Sequence, residues 1–259
     1  MTKMTTGLVQ NARGGWATLK FALNLPVAVV QAGRLSSDET VVRDPVTGLF
    51  NRFLKTCKVS VTVEGQPPEP RQGCVISHNE TSFADIAAYF IAVWPHVDRL
   101  AGADVYRHIP FSKGVYGKLA IEMVPRGNRA ATEVLLRHMV AAVQRGERIG
   151  WGGEGRLFGQ DGVGHFKVGG SLIAIRAQVP VVPVAIFGGH RAMRLGSIRA
   201  CPGDIRIRFC KPIPTVGLTE SDARGFADAL RTEIARNYDD MAIGWRGLQG
   251  AQLAGAVSD

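Results

Sequence analysis

Cys74-Val75-Ile76-Ser77-His78-Asn79-Glu80-Thr81-Ser82-Phe83-Ala84-Asp85-Ile86 is the stretch on which the reading of the chain turns. Val75 and Ile76 suit a short buried strand. From Asp85 onward Ile86, Ala87, Tyr89, Phe90 and Val93 recur at helical spacing. Between strand and helix lie a His, a Glu, two hydroxyls and an Asp, too many polar groups for a plain connection. In open α/β sheets, sites form where strand ends meet helix starts.

Working outward, the segments on both sides alternate between the two periods. Lys58–Val63 places Val59, Val61 and Val63 on one face of a half-buried strand, and Pro67, Pro68 and Pro70 then force a loop. After the polar corner the pattern predicts a strand near Asp104–Tyr106, a loop at Ile109–Lys113 and a strand at Leu119–Val124. It continues with an amphipathic helix over Thr132–Gln144, a strand at Arg148–Trp151, a helix over Gly169–Ala177 and a strand at Val179–Ile186. Asp204–Cys210 alternates Ile205, Ile207 and Phe209 with Arg206 and Arg208, as an edge strand with one wet face would. Thr219 and Asp222 read as a capping box opening a last helix that ends near Tyr238. Such alternation predicts an α/β fold with a mixed, largely parallel sheet flanked by helices.

Toward the N-terminus, residues 1–10 read as loose. Trp16–Gly33 is strongly apolar but holds Pro26, which breaks a helical pattern into two short pieces. A further piece sets Leu49, Phe50, Phe53 and Leu54 among Arg43, Arg52, Lys55 and Lys58. Apolar faces fringed by Lys and Arg suit a membrane interface, and packing on the core is the other reading. The domain division that follows is an N-terminal amphipathic segment at 1–57, an α/β domain at 58–243 and a mobile tail at 244–259.

Composition narrows the partners. The 259 residues carry 31 Lys+Arg against 22 Asp+Glu, a net charge of +9, which favours phosphate-bearing partners without choosing among them. Nucleic acid is the poorest fit, since aromatic content is 7%, basic residues are spread along the chain and no recognition motif occurs. Cys57, Cys74, Cys201 and Cys210 form no C-x-x-C pair or metal-ligand spacing, so buried free thiols are expected. No secretory signal is apparent, and no apolar run reaches the roughly 18–20 residues that span a bilayer.

Three predicted strand ends carry unusual polar residues: Ser77–Asp85, Pro125–Arg129 and Gly152–Arg156. If the strands are parallel neighbours, one rim of the sheet gathers a His/Glu/Asp group opposite two Arg-bearing loops. A base beside a cationic cradle suits activation of the hydroxyl of a phosphorylated alcohol. Taken singly, each piece has a plainer reading: surface arginines, a glycine turn, a structural histidine.

In order, these blocks resemble those of the glycerophospholipid acyltransferase family, the enzymes that acylate 1-acyl-glycerol-3-phosphate, over about Val61–Pro183. Asn79-Glu80-Thr81-Ser82-Phe83-Ala84-Asp85-Ile86 is similar to its Asn-His-x-Ser-x-x-Asp-Ile block, with Glu80 standing where the family has its catalytic His. Val124-Pro125-Arg126-Gly127-Asn128-Arg129 resembles its second block, with Pro125 where an Asp is common. Glu154-Gly155-Arg156 resembles its third, with Gly153 where a Pro is usual. Phe166-Lys167-x-Gly169 and Val179-Pro180-Val181-Val182-Pro183 match its remaining elements.

The resemblance implies transfer of a fatty acyl group from acyl-CoA or acyl-carrier protein to a lysophosphatidate-like hydroxyl in phospholipid biosynthesis. It implies no bound cofactor and no metal, since the thioester is already activated. Arg126 and Arg129 would hold the acceptor phosphate, with Glu154, Gly155 and Arg156 on the cradle's other side. Asp85 would support a base that is either His78, two residues upstream on the same side of an extended segment, or Glu80 itself. The partners implied are an anionic membrane surface, a lysophospholipid and the acyl carrier, at the cytoplasmic side of the membrane as a peripheral protein. The alternative is a lipid- or acyl-carrier-binding relative that keeps the fold without the reaction.

Overall fold

Among the described residues seven strands alternate with helices, and the order in which they pair places the polar corner at the centre of a single sheet. The computed structural model describes residues 3–35, 39–104, 108–110, 112 and 114–255. Helices α1 (Lys3–Arg34) and α2 (Glu39–Cys57) precede β1 (Val59–Glu64) and β2 (Cys74–His78). Then come α3 (Phe83–Ala92), β3 (Arg99–Ala103), the single turn α4 (Val115–Lys118), β4 (Ile121–Val124), α5 (Arg129–Gln144) and β5 (Arg148–Gly152). The chain closes with α6 (Gly169–Ala177), β6 (Val181–Phe187), the single turn α7 (Gly189–Ala192), β7 (Gly203–Phe209) and α8 (Ala223–Gly255).

The strand order is β1-β7-β6-β2-β5-β3-β4. All neighbours are parallel except β6 and β7, so the sheet is mixed and mostly parallel. β2 lies between β5 and β6, and the C-terminal ends of β2, β4, β5 and β6 share one rim. Alternate residues of each strand feed the two cores. Ile76, Val182, Val184 and Ile186 face α1–α3; Val75, Val181, Ala185 and Phe187 face α5, α6 and α8. By this alternation His78 points to the α3 side.

Several expectations need correction. α1 is one helix that runs through Pro26 from Lys3. The ring costs a hydrogen bond, but Ala17, Ala28, Val29 and Ala32 are buried along the inward face, and helices in proteins are held mostly by such packing. β7 is internal: β1 pairs alongside it and takes the edge. A wet face reports what covers a strand, not how many neighbours it has. Here Arg208 pairs with Glu64 of β1 at 2.8 Å. The strand expected near Asp104 lies a few residues earlier, at Arg99–Ala103, and residues 105–107 fall outside the described residues. The last helix continues past Tyr238 and Gly244 to Gly255. The capping box at Thr219 and Asp222 is present.

Candidate active site

The site is built from the point where β2 ends. Asn79 leaves the strand, yet its side chain continues the pairing with β6. Its Nδ2 donates to the Ile186 carbonyl at 3.0 Å and its Oδ1 accepts from the Ile186 N–H at 2.8 Å. A wholly buried amide therefore substitutes for backbone while the chain turns toward α3. Asn79→Leu strands both groups of Ile186, so a loss of about 2–4 kcal/mol is expected in urea unfolding.

The turn that follows is locked from below. Ser82 is the N-cap of α3: its Oγ accepts from Ala84 N–H at 3.2 Å. Asp85 completes the capping box. Its Oδ2 accepts from the backbone N–H groups of Thr81, at 2.8 Å, and Ser82, at 3.1 Å, and from the Thr81 hydroxyl. Asp85 Oδ1 has no hydrogen-bond partner among the described residues and lies against Gly189 of α7, where a methyl group would overlap it. Burial pushes the Asp85 carboxyl up to about 6, against the lowering effect of these bonds.

His78 and Glu80 form the other pair. The imidazole Nε2 lies 2.8 Å from Glu80 Oε1. The His78 side chain is 1% exposed and that of Glu80 23%, so the carboxylate stands in front and the imidazole behind it. The ring stacks on Tyr89 of α3 with centroids 4.2 Å apart. Space for this stack comes from β5, whose Gly150 and Gly152 face it. A methyl group on Gly150 would overlap the Tyr89 hydroxyl, and one on Gly152 would lie 3.4 Å from Glu80 Oε1. His78 Nδ1 is buried without a hydrogen-bond partner among the described residues. The neutral tautomer protonated at Nε2 donates to Glu80 and leaves no buried N–H unpaired, and we assign it on that ground.

The loop after β5 wraps this turn. Glu154 is directed inward: Oε2 accepts from the Glu80 N–H at 2.9 Å and Oε1 from the Gly164 N–H at 3.1 Å. Burial pushes the Glu154 carboxyl up to about 8, with the nearby Glu80 charge adding to the shift. Phe158 N–H donates to the Glu80 carbonyl at 2.9 Å, and Gly159 N–H to the Thr81 carbonyl at 3.0 Å. Every backbone group that fixes Glu80 is thus held by the loop that carries Arg156.

The cations line the rim above. Arg126, Arg129 and Arg156 are exposed. Arg126 Nη2 donates to the Gly155 carbonyl at 2.6 Å, which ties the β4–α5 loop to the β5–α6 loop. Gly155 sits at φ +67°, in the left-handed region that favours glycine. Arg129 begins α5 behind the N-cap Asn128, beside a cleft that also involves Thr132, Leu136, Leu172 and Arg176.

The structure therefore brings His78 to Glu80, and Arg126 to Gly155, the neighbour of Arg156. It places Asp85 beneath the turn, bonded to Thr81 and Ser82, and Glu154 behind Glu80, away from the cations. Sequence reasoning did not single out Tyr89, Gly150 or Gly189 as parts of the site, and it named Asn79 and Gly152 only as members of their blocks, without a role. Nor did it single out Lys167, whose exposed side chain runs over Gly155: a methyl there would lie 3.6 Å from its Cγ. The Phe166-Lys167-x-Gly169 block was the available signal.

Comparison with known proteins bears on this rim. The acyltransferase family model matches residues 60–187, a span that contains His78, Glu80, Asp85, Glu154 and the three rim arginines and ends just before Gly189. A Caenorhabditis elegans protein provisionally named as a 1-acyl-sn-glycerol-3-phosphate acyltransferase is 27% identical over 203 residues, 75% of this chain and 71% of that protein. Human 1-acyl-sn-glycerol-3-phosphate acyltransferase alpha is 30% identical over 82 residues, 32% of this chain and 29% of the human one. The crystal structure of the 1-acyl-sn-glycerophosphate acyltransferase PlsC from Thermotoga maritima has the same fold. It superposes with a TM-score of 0.67 at 20% identity, over 93% of this chain and 98% of that one. With its sheet, its rim and the family match from β1 to the end of β6, the chain belongs to the acyltransferase family.

Proposed function

We propose that this acyltransferase moves a fatty acyl group from a thioester, acyl-CoA or acyl-carrier protein, to the hydroxyl of a lysophosphatidate-like acceptor at an anionic membrane surface. The observation that carries the reading is the Glu80 carboxylate at the sheet rim, backed by buried His78, on the same rim whose two neighbouring loops carry exposed Arg126 and Arg156.

In this reaction Glu80 takes the proton of the acceptor hydroxyl as its oxygen attacks the thioester carbonyl. When the tetrahedral intermediate collapses, the C–S bond breaks and the proton passes from Glu80 to the departing sulfur. The His78 Nε2–H bond keeps the carboxylate aimed, and the Asp85 and Glu154 bonds to Thr81, Ser82 and Glu80 keep the turn rigid. The usual order of a histidine in front and a carboxylate behind is reversed. Arg126 and Arg156, with Arg129, hold the acceptor phosphate. Arg126→Ala is expected to raise KM for a phosphate-bearing acceptor about 10- to 100-fold with a smaller change in kcat, the value of one charge-assisted bond.

The N-terminal helices supply the membrane-facing side, making this a peripheral protein of the cytoplasmic face. Among the described residues no helix is long and apolar enough to cross a membrane. α1 nonetheless exposes Leu8, Trp16, Leu19, Leu23 and Val27, with Lys20 over the Trp16 ring at 4.9 Å, the composition of an interfacial helix. The acceptor is tested by thiol release from acyl-CoA with lysophosphatidate and with a monoacylglycerol of the same chain. A strong preference for the phosphate-bearing acceptor is expected, and equal rates would remove the phosphate-cradle assignment.

A further inference from the structure

The apolar stripe of α1 does not end at the helix edge. The loop between α7 and β7 runs along its N-terminal half. Ala200 N–H donates to the Gln10 carbonyl at 3.1 Å, Arg199 Nε donates to Gln10 Oε1 at 2.6 Å, and Arg13 Nη1 reaches the Ala200 carbonyl at 3.5 Å. Gly14 lies so close to the Ile198 carbonyl that a methyl group would overlap it. A glycine in mid-helix thus marks the point where the loop backbone is laid onto α1.

The loop itself is a tight turn. Ser197 N–H donates to the Arg194 carbonyl at 3.0 Å, and Gly196 takes φ +78°, the geometry of a turn with glycine at its third position. Leu195 is thereby raised to the tip, 48% exposed, and Ile198 beside it is 57% exposed. Exposed Arg194 and Arg199 flank the pair. Two large aliphatic side chains stand exposed at the turn, and a methyl group on Gly15 of α1, next to exposed Trp16, would lie 3.9 Å from Ile198 Cδ1; a contiguous exposed apolar patch marks an interaction surface.

The half-exposed Leu195 also touches the loop that holds the active site, which leaves Ile198 as the freer of the two side chains. A methyl group on Gly159 would lie 3.2 Å from Leu195 Cδ2, and Gly159 N–H is the donor to the Thr81 carbonyl. α7, which leads into the turn, carries the Gly189 that packs on Asp85. The turn therefore joins α1 to the segment that holds Glu80.

We propose that the Arg194–Arg199 turn is a membrane-inserting wedge that completes, with α1, one docking surface for anionic lipid and sets the mouth of the site at the level of the lipid headgroups. Lipid is the occupant that fits: the aliphatic tip suits acyl chains, while Arg13, Lys20, Arg194 and Arg199 around it suit an anionic headgroup layer. The inference rests on the membrane-surface reading above and adds to α1 a second, loop-borne element.

The test uses the full chain and vesicles of phosphatidylcholine with and without phosphatidylglycerol. Ile198→Trp adds a fluorophore at the turn, and bromine-labelled acyl chains are expected to quench the added emission relative to the parent. Leu195→Asp/Ile198→Asp is expected to weaken partitioning to the anionic vesicles on the order of tenfold or more, since one inserted aliphatic side chain is worth about that factor. An unchanged thermal midpoint serves as the control for folding. Leu19→Glu/Leu23→Glu is the companion variant on α1. Weakening in the helix variant alone, with no quenching at the turn, would overturn the wedge and leave the membrane reading standing. No partitioning by the parent would remove both. A parent that dimerises in solution with the turn shielded from quencher would assign the patch to a second copy, and that too would overturn the proposal.

Discussion

Glu80→Gln is expected to lower kcat by about 10²- to 10⁴-fold, the contribution of a positioned general base, with little loss of stability. The amide keeps an oxygen at the Oε1 position to accept the His78 Nε2–H bond, and the backbone bonds of residue 80 to Glu154 and Phe158 do not involve its side chain. What is removed is the ability to take a proton. His78→Ala is expected to be milder in rate, since the base survives without its aim, but costlier in stability: it empties the space between Tyr89 and β5. Initial rates at saturating donor and acceptor separate the two. The reverse pattern, activity kept in Glu80→Gln and lost in His78→Ala, would place the base on the imidazole.

Stability is expected to fall as pH rises from about 4 to 8. Glu154 ionises near 4.3 in an unfolded chain but is pushed up to about 8 in the fold. Asp85 is likewise raised, to about 6. Across those windows the folded state holds protons that the unfolded state has released. Unfolding therefore releases protons and is favoured by alkali. The contribution is fully present below the unfolded pKa and is lost as pH passes through the folded one. At 1.36 kcal/mol per pKa unit the loss is on the order of 5 kcal/mol for Glu154 and 3 kcal/mol for Asp85. Asp98, held down by its bonds to Arg148, and Asp161, held down by Tyr238 and Arg191, act in the opposite sense below about pH 4. The urea midpoint should thus be higher near pH 5 than near pH 8. Glu154→Gln should flatten the slope, whatever constant offset it adds by facing Gly164 N–H with an amide donor. A parent whose midpoint rises from pH 5 to 8 would contradict this account of both carboxyls.

Much of this arrangement was legible in the chain. β2, β5 and β6 are short apolar runs with no room for another period, and their parallel pairing follows from the helices between them. The gathering of Ser77–Asp85 and Gly152–Arg156 on one rim was predictable for that reason. The boundaries of α6 at Gly169 and Ala177 were readable from its glycines and the following Gln178-Val179-Pro180. Side-chain direction was not readable. Glu154 follows a strand end as a cradle residue would, yet burial against Gly164 and the Glu80 N–H turns it inward. Asp85 sits at helical position three, where the capping box and a catalytic partner make the same demand on sequence. The His78–Glu80 pair depends on β5 presenting Gly150 and Gly152 opposite β2, a register that composition does not disclose. Pro26 misled for a related reason, because its cost is local while the packing of α1 that outweighs it is tertiary.

The most direct test of the central claim is a time course of diacyl product, followed by mass, when the unaltered protein meets an acyl thioester and lysophosphatidate on anionic vesicles. Acyl-CoA and acyl-carrier protein are tried in parallel. The account predicts one molecule of diacyl phosphate for each thiol released from at least one donor, and loss of that signal in Glu80→Gln. Binding of lysophosphatidate with no consumption of either thioester would contradict it, leaving an acyltransferase fold in which Glu80 ended the reaction instead of carrying it.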